Sequence, residues 1–575
     1  MSGFAATVRL RRSADAARLT AVGIGGLLVL LTLVPLAVLL IASLRPEGLP
    51  SSPGWTLDHY TEVWGSARNW RLVANTLVFA GCSTLLAIVL ATALSWLLER
   101  TTDLPARKLL RAMILMPMAT PPLLLAIGWA LVLAPRIGIV AVAVAPIVGS
   151  IERWFDIYSI PGVIFVQTLA YVPTSVLMLS PAIRMLDPAL EEAALAAGAG
   201  RWQVLWRVVV PMLRPAILSV ATVLLIVGML AFDVPAVIGI PGHVDLMSIE
   251  IFRLMTPPSG FPDYGAAAAM NAILFVLLIA GLAVYRRTIR QSARFATISG
   301  KGYRPARIKL GGWRAAAIGF VWLYFLLAVL LPFIALAWAS VIPYFAGFSL
   351  GMLRRISMTA YSDLFASPQA RVATTNAVLI AVTAAAGLVL LSLATAWIVL
   401  RSKLRLAWTL DVLAMIPLGL PPLMIGVALV FLAFTLRFIP LYGTIWLIAI
   451  GHLIVFLPVA TRMMQTGLLQ IGSELEEAAA IAGASTPRTL RRVVLPLLAP
   501  TIVALIIWIL VHSVREFSIA VMLQSGHNGV LSTLLYNYWD TGSPEHAAAL
   551  AVLLMIVLLC LVGVSSLLTR SRLEL

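Results

Sequence analysis

The sequence predicts an all-α integral membrane protein, with twelve transmembrane helices arranged as two parallel six-helix repeats. Three observations predict it. Of 575 residues, 61% are hydrophobic and only 11% are charged, against roughly 45–50% and about 25% in a soluble domain. Apolar runs long enough to cross a bilayer recur along the whole chain. Motifs of the first half return in the second half in the same order. That much apolar surface cannot be hidden in a water-soluble core, so lipid is the solvent.

The first run, 19–44, carries no charge and follows Arg9, Arg11, Arg12 and Arg18. It is longer than the apolar region of a signal peptide and reads as a retained helix with its N-terminus in the cytoplasm. Further spans are predicted near 72–98, 109–133, 160–183, 215–240, 265–285, 315–341, 374–400, 406–434, 442–461, 499–522 and 547–568. The stretch 137–150 is apolar but short and contains Pro146. It reads as an outer-face segment, with a re-entrant path left open. Cys82 and Cys560 fall in apolar runs of opposite halves and read as buried thiols without a disulfide.

Net charge is +17, which on a soluble protein would suggest nucleic acid. Its placement argues otherwise. Segments predicted to face the cytoplasm carry 30 of the 41 Lys and Arg residues, the bias expected of inner loops. The charge is therefore topology, with both termini inside, and no nucleic-acid partner is implied.

The halves align through "NTLVFA" from Asn75 with "NAVLIA" from Asn376, "YTEVW" from Tyr60 with "YSDLF" from Tyr361, and "MPMATPPLLL" from Met116 with "IPLGLPPLMI" from Ile416. An even number of spans per half makes the repeats parallel. The first module is taken as 1–285 and the second as 314–575. Residues 286–313 form a basic cytoplasmic linker lying against anionic lipid. Asn75 and Asn376 read as caps at the start of the second span of each half.

The closest internal match is "EEAALAAGAGRWQVLWRVVVPMLRP" (191–215) with "EEAAAIAGASTPRTLRRVVLPLLAP" (476–500), which agree at 14 of 25 positions. Both fall in cytoplasmic connections, 186–215 and 472–500, between the fourth and fifth spans of their halves. Asp187 can cap a helix and Pro188 suits its first position. Ser473 and Glu476 have capping-box spacing. Glu191, Glu192, Glu476 and Glu477 suit the positive end of a helix dipole. Ala193, Ala194, Ala478 and Ala479 give helix propensity with little bulk. Gly198 and Gly483 end or bend the helix, and Pro211, Pro215, Pro496 and Pro500 mark the return to the membrane. Each loop is thus a short, rigid, acid-tipped helix that can enter a groove on another protein.

Glu-Ala-Ala, three residues, Gly, then a distant Pro resembles the cytoplasmic loop signature of the permease subunits of bacterial ATP-binding-cassette importers. It reads Glu192-Ala193-Ala194…Gly198…Pro211 and Glu477-Ala478-Ala479…Gly483…Pro496. The resemblance covers essentially the whole chain. Two fused modules of this length are similar to the ferric-iron and thiamine importers, and "TISGKGYRP" from Thr297 and "REFSIAVML" from Arg515 resemble the iron branch. The resemblance implies an inner-membrane permease. Two copies of a cytoplasmic ATP-binding subunit would dock on the loops, the glutamate meeting a basic residue there, and a periplasmic binding protein would deliver the solute. Ferric iron comes first as cargo, ahead of thiamine, a polyamine or an aminophosphonate.

The chain itself has no phosphate-binding loop: its Gly-Lys pair, Gly300-Lys301, is followed by Gly302 rather than Ser or Thr. ATP and Mg are therefore assigned to the partner, with no cofactor, catalytic group or metal site in this chain. The pattern Gly347-Phe348-Ser349-Leu350-Gly351 matches a hydrolase motif but lies on a predicted outer loop, away from the strand–turn–helix that motif requires. For the pathway, a matched aromatic in each fifth span, Phe232 and Phe517, is flanked by Asp233 and Glu516. Ionisable groups at membrane depth usually face a cavity or a partner, so these four are the pathway candidates, against solvation at the outer headgroups. An ion-coupled secondary transporter would want more mid-span ionisable residues and no matched acidic loop helices.

Overall fold

The computed structural model describes residues 2–135, 137–258, 260–292, 309–347, 350–402, 404, 406–436 and 438–570. Residues 293–308, most of the predicted linker and all of "TISGKGYRP", lie outside them, as do Phe348 and Ser349. Among the described residues the chain is helical and contains no β-strand.

Among the described residues ten helices are long and apolar enough to cross a membrane. In the first half they are Leu19–Ser43, Ala67–Arg100, Ile160–Arg184, Trp206–Met229 and Tyr264–Gly281. In the second they are Gly311–Ser340, Pro368–Arg401, Ile445–Leu469, Thr486–Arg515 and Pro544–Gly563. The third and ninth predicted spans are not straight. Each is a helix pair, Arg107–Ala119 with Pro122–Leu133 and Leu406–Gly419 with Pro422–Thr435, bent by 97° and 107°. The cause is a twin proline. Thr120 and Leu420 precede Pro121-Pro122 and Pro421-Pro422 and take extended backbone, ψ 122° and 131°, because proline disfavours helical geometry in the residue before it.

Contacts decide whether a bent pair crosses. Arg100 ends the second span, and its guanidinium bonds the carbonyl of Leu186 and the carboxylate of Glu191. These groups therefore lie on one face. Only one unbroken span, Ile160–Arg184, separates them, so the bent pair must supply the return crossing. Arg401 and the carbonyl of Ile471, separated by Ile445–Leu469, require the same in the second half. Twelve crossings follow, and six per half makes the repeats parallel.

The segment 137–150 is too short to cross a bilayer as a helix. Its helix, Ile139–Val148, spans only about 15 Å and lies largely exposed on the surface, Ile147 at 85%. The fifth spans end earlier than the apolar runs suggest, at Met229 and Arg515. The remaining apolar residues fold back as short buried turns, Pro235–Gly239 and Ser518–Leu523. Cys82 and Cys560 are exposed rather than buried. Lipid is as apolar as a core, so a lipid-facing thiol is not penalised.

The halves interlock through their first spans. Leu19–Ser43 packs on Pro422–Thr435 and Leu406–Met415 of the other half, and Leu331–Ser340 packs on Pro122–Leu133. Trp129 donates through Nε1 to the carbonyl of Leu327 across this second contact, 3.1 Å. The inner junction is closed by Asp103, whose carboxylate accepts from the backbone N–H groups of Leu310 and Gly311 at 3.0–3.1 Å. Both halves also repeat one tie between hydroxyls: Ser43 with Tyr60 at 2.8 Å and Ser340 with Tyr361 at 2.9 Å.

Gly128 tests the interlock, because a Cβ there would stand 2.6 Å from Pro332 Cβ and 2.9 Å from its Cα. Gly128→Leu is expected to lower stability by about 1–3 kcal/mol, read as a drop in Tm in detergent. Gly81→Ala, with nothing within 4 Å, is expected to be neutral or stabilising by up to about 1 kcal/mol. A second expectation concerns Asp103. The Leu310 N–H, then that of Gly311, holds its carboxyl below the usual carboxylate range. A depressed carboxylate stabilises above its unfolded pKa and loses that contribution as pH falls. Protection of the Leu310 and Gly311 amides, corrected for intrinsic exchange, should hold at neutral pH and fall below about pH 4. Asp103→Ala should remove it at every pH.

Candidate functional site

Two sites emerge, one at the inner face and one on the axis between the halves. At the inner face the repeated stretches form the helices Pro188–Ala196 and Ser473–Ile481. Asp187 caps the first by accepting from the N–H of Ala189, 2.9 Å. Ser473 does not form the expected capping box. It is already the first helical residue, after Gly472, and no side chain caps this end. The Glu476 carboxylate meets Arg401 instead, because a charged pair outweighs a bond to one backbone N–H.

Both helices end alike. The amide of Ala199 bonds the carbonyl of Ala194 and that of Gly198 the carbonyl of Leu195. Ala484 to Ala479 and Gly483 to Ala480 repeat the pattern. This double turn needs a left-handed residue, and Gly198 and Gly483 supply it at φ +86° and +80°.

The paired glutamates part company. Glu191 and Glu476 turn inward to Arg100 and Arg401. Glu192 and Glu477 are exposed, as are Ala193 and Ala478, with Ala194 and Ala479 half-buried. Each helix thus presents a free carboxylate and a small-residue ridge outward while its other carboxylate holds it in place. The arginines were missed in the sequence, where they counted only as inner positive charge. The signal was available: Arg100 and Arg401 share the offset of Asn75 and Asn376.

Beyond each helix the chain makes a π-helical turn, Leu205–Val209 and Leu490–Val494, before the body of the fifth span. The wider turn sits directly before Pro211 and Pro496, which have no N–H for the carbonyls of Arg207 and Arg492. Pro211 and Pro496 stand at the start of the regular fifth-span helices, Val210–Met229 and Leu495–Arg515, and Pro215 and Pro500 lie one turn further in.

At the outer ends of the fifth spans Phe232 and Phe517 stack, centroids 5.7 Å apart and planes 6° from parallel. Each is 1% exposed and is backed by an aromatic of the following short helix, Phe252 at 5.1 Å and Tyr536 at 5.0 Å. The partners are repeat mates, so the stack lies on the pseudo-two-fold axis. The next residues, Asp233 and Ser518, are also mates, and Ser518 Oγ donates to Asp233 Oδ1 across the axis at 3.0 Å.

Glu516 is elsewhere. Its carboxylate accepts from the N–H groups of Ile519 and Ala520, 2.9 and 3.3 Å, capping Ser518–Leu523. It stands 3.5 Å from His452 Nε2. His452 pairs through Nδ1 with Ser513 Oγ, 2.8 Å. Of the two acids, only Asp233 joins the aromatic pair. Arg515 donates to the carbonyl of Met118 in the other half, 2.9 Å. Asn75 and Asn376 lie inside long helices and cap nothing. Their amides hold the loops beyond the fifth spans, at the carbonyls of Asp245 (3.0 Å) and Gly529 (3.0 Å).

Inward of the stack, a cavity of about 1240 Å³ opens between the halves. Val223 and Val227 of one fifth span and Pro500 and Ala504 of the other line it. Its charged lining residues are Asp411 and Arg462, themselves paired at 3.3 Å. Gln470, at the end of its span nearest Ser473–Ile481, shows that the cavity reaches toward the face that carries this helix. Among the described residues no group of three or more His, Cys, Asp or Glu side chains could hold a metal ion.

Known permease proteins resemble the chain over most of its length. The chain is 25% identical over 521 residues to the ferric transport system permease protein FbpB of Actinobacillus pleuropneumoniae, covering 88% of this chain and 72% of that protein. It is 27% identical over 512 residues to the probable ABC transporter permease protein y4fN of Sinorhizobium fredii, covering 87% of each. Among solved structures, a bacterial ABC transporter involved in the import of the acidic polysaccharide alginate aligns with 45% of this chain and 88% of its own. The TM-score is 0.35 and the identity 20%. The family of binding-protein-dependent transport system inner membrane components matches twice, over residues 91–292 and 387–569, more than half of the chain. The chain therefore belongs to that family, as a multi-pass permease in which two copies of the family's module are fused.

Proposed function

We propose that this chain carries ferric iron across the inner membrane, receiving it from a periplasmic binding protein, with two ATPase subunits docked on Pro188–Ala196 and Ser473–Ile481. The modules are 1–285 and 314–575, joined by 286–313 on the cytoplasmic side, where both termini also lie. One observation carries the docking: each half presents one helix in which Glu191 or Glu476 is bound internally and the next residue, Glu192 or Glu477, is free. A helix held at one carboxylate and open at the next is suited to pass force between a partner and the bundle. The ferric assignment is supported by relatives of that name matching most of the chain.

The pathway runs along the axis. The cavity borders both fifth spans, and the Phe232–Phe517 stack lies just beyond the outer ends of those spans. The cavity wall is mostly aliphatic, and its two charged residues neutralise each other. A wall that binds weakly lets a cation leave. Asp233, on the axis beside the stack, supplies one carboxylate where the cation would pass.

Charge reversal tests the docking. Glu192→Lys with Glu477→Lys should insert normally and lower uptake of radiolabelled ferric iron by about tenfold or more, while the ATPase continues to hydrolyse. Normal uptake by the double variant would sink the reading. Uptake of thiamine in place of iron by the wild type would overturn the cargo alone. For the stack, Phe232→Ala with Phe517→Ala should make proteoliposomes leak potassium about tenfold faster than wild type. An unchanged leak would remove the pair from the pathway.

A further inference from the structure

A guanidinium joins three elements at the inner face of each half. Arg100 is the last residue of its span and 1% exposed. It reaches the carbonyl of Leu186 at 3.4 Å and the carboxylate of Glu191. Arg401 ends the equivalent span. Its Nε bonds Glu476 at 2.8 Å, and its Nη2 bonds the carbonyls of Leu468 and Ile471 at 3.2 and 2.7 Å. Those carbonyls lie at and just beyond the C-terminus of the fourth span of each half, where helix carbonyls lack partners and the dipole is negative. A guanidinium has five donors in a fixed fork, so one side chain can serve a carboxylate and carbonyls together, and an ammonium cannot hold that geometry.

The opposite end of each coupling helix is built differently. After the glycine turn comes a helix of four residues, Arg201–Val204 or Thr486–Thr489, then the π turn. The helix is therefore tied to the second and fourth spans through the arginine, and it meets the fifth through the short helix and π turn it packs on. In each half the second and fourth spans are also the most extensively packed pair. The arrangement occurs twice, although Glu99, the neighbour of Arg100, is replaced by Leu400 beside Arg401.

We infer that Arg100 and Arg401 are positioning residues for coupling, each locking its coupling helix to the second and fourth spans of its half as one rigid block. A push on Pro188–Ala196 or Ser473–Ile481 then moves that block as a whole, and the fifth span, with its phenylalanine at the far end, shifts against it at the π turn. The inference rests on the reading that these helices meet an ATPase.

The test has two arms. In the first, the full-length chain in lipid nanodiscs is followed by amide hydrogen exchange. Arg401→Gln should speed exchange in 473–481 by about tenfold and leave the spans unchanged, and Arg100→Gln should do the same in 188–196. Arg401→Lys, keeping the charge but not the fork, should fall between. In the second arm, uptake of radiolabelled ferric iron per ATP hydrolysed is measured with ATPase and binding protein present. The Gln variants should lose about fivefold or more in that ratio with hydrolysis retained. Exchange and ratio both unchanged, or a Lys variant matching wild type in both, would overturn the proposal. So would exchange accelerating through the whole bundle, which would make the arginines general stabilisers. If no ATPase assembles with the wild-type chain, the functional reading fails, and the exchange arm still decides whether the arginines lock the helices.

Discussion

A bilayer offers no hydrogen bond to a broken helix, and this constraint organises the molecule. Irregular backbone at membrane depth is tolerated only under protein cover. The twin prolines break the third and ninth spans inside the membrane. Their second limbs, Pro122–Leu133 and Pro422–Thr435, are buried along almost their whole length. Part of that cover comes from the opposite half, where each first span crosses over to lie against the other module's bend. The interlock and the bends are thus one feature. Neither half could expose its bend to lipid, so the covering helices make the fused halves a single body.

The same constraint separates what was legible in the sequence from what was not. Span number, order and duplication follow from apolar runs and inner positive charge, which respond to the bilayer itself. The bends were written in the sequence as Thr120-Pro121-Pro122 and Leu420-Pro421-Pro422. Hydropathy is blind to direction, however, and an apolar run of 25 residues looks the same straight or folded at a right angle. For that reason 215–240 and 499–522 also ran past the true helix ends. The helices of the repeated stretches form where their prolines, alanines and glycines imply, but their paired glutamates looked equivalent. Which one turns inward depends on Arg100 and Arg401, about 90 and 75 residues earlier in the chain, and a contact over that distance leaves no local pattern. Counting those arginines as topology hid a second use of the same charge.

Duplication usually preserves what both copies need and relaxes the rest, and the axis shows both outcomes. Phe232 and Phe517 are kept, and stacking needs two rings. Their neighbours differ: Asp233 on one side, Ser518 on the other. Two carboxylates meeting on the axis would repel each other in a poorly solvated place, and two serines would leave no charge there. An acid and an alcohol give one hydrogen bond and one negative charge, an arrangement that strict two-fold symmetry cannot produce. Fusing the halves into one chain is what permits it, because each copy can then drift on its own.

Drift has also made the two inner faces mechanically unlike. In the first half Glu99 bonds Arg111 at 2.7 Å and Arg184 at 3.0 Å, drawing the second, third and fourth spans together beside the Arg100 clamp. Leu400 cannot do this. In the second half the third and fourth spans are joined instead by Asp411 with Arg462 and Gln465, a step removed from the Arg401 clamp and facing the cavity. Both helices are gripped by an arginine, but the first grips a braced assembly and the second one whose brace borders the cavity. Equal pushes on two unequal levers do not give equal motions, and the side with its brace at the cavity wall is the side where a push most directly changes the shape of the passage.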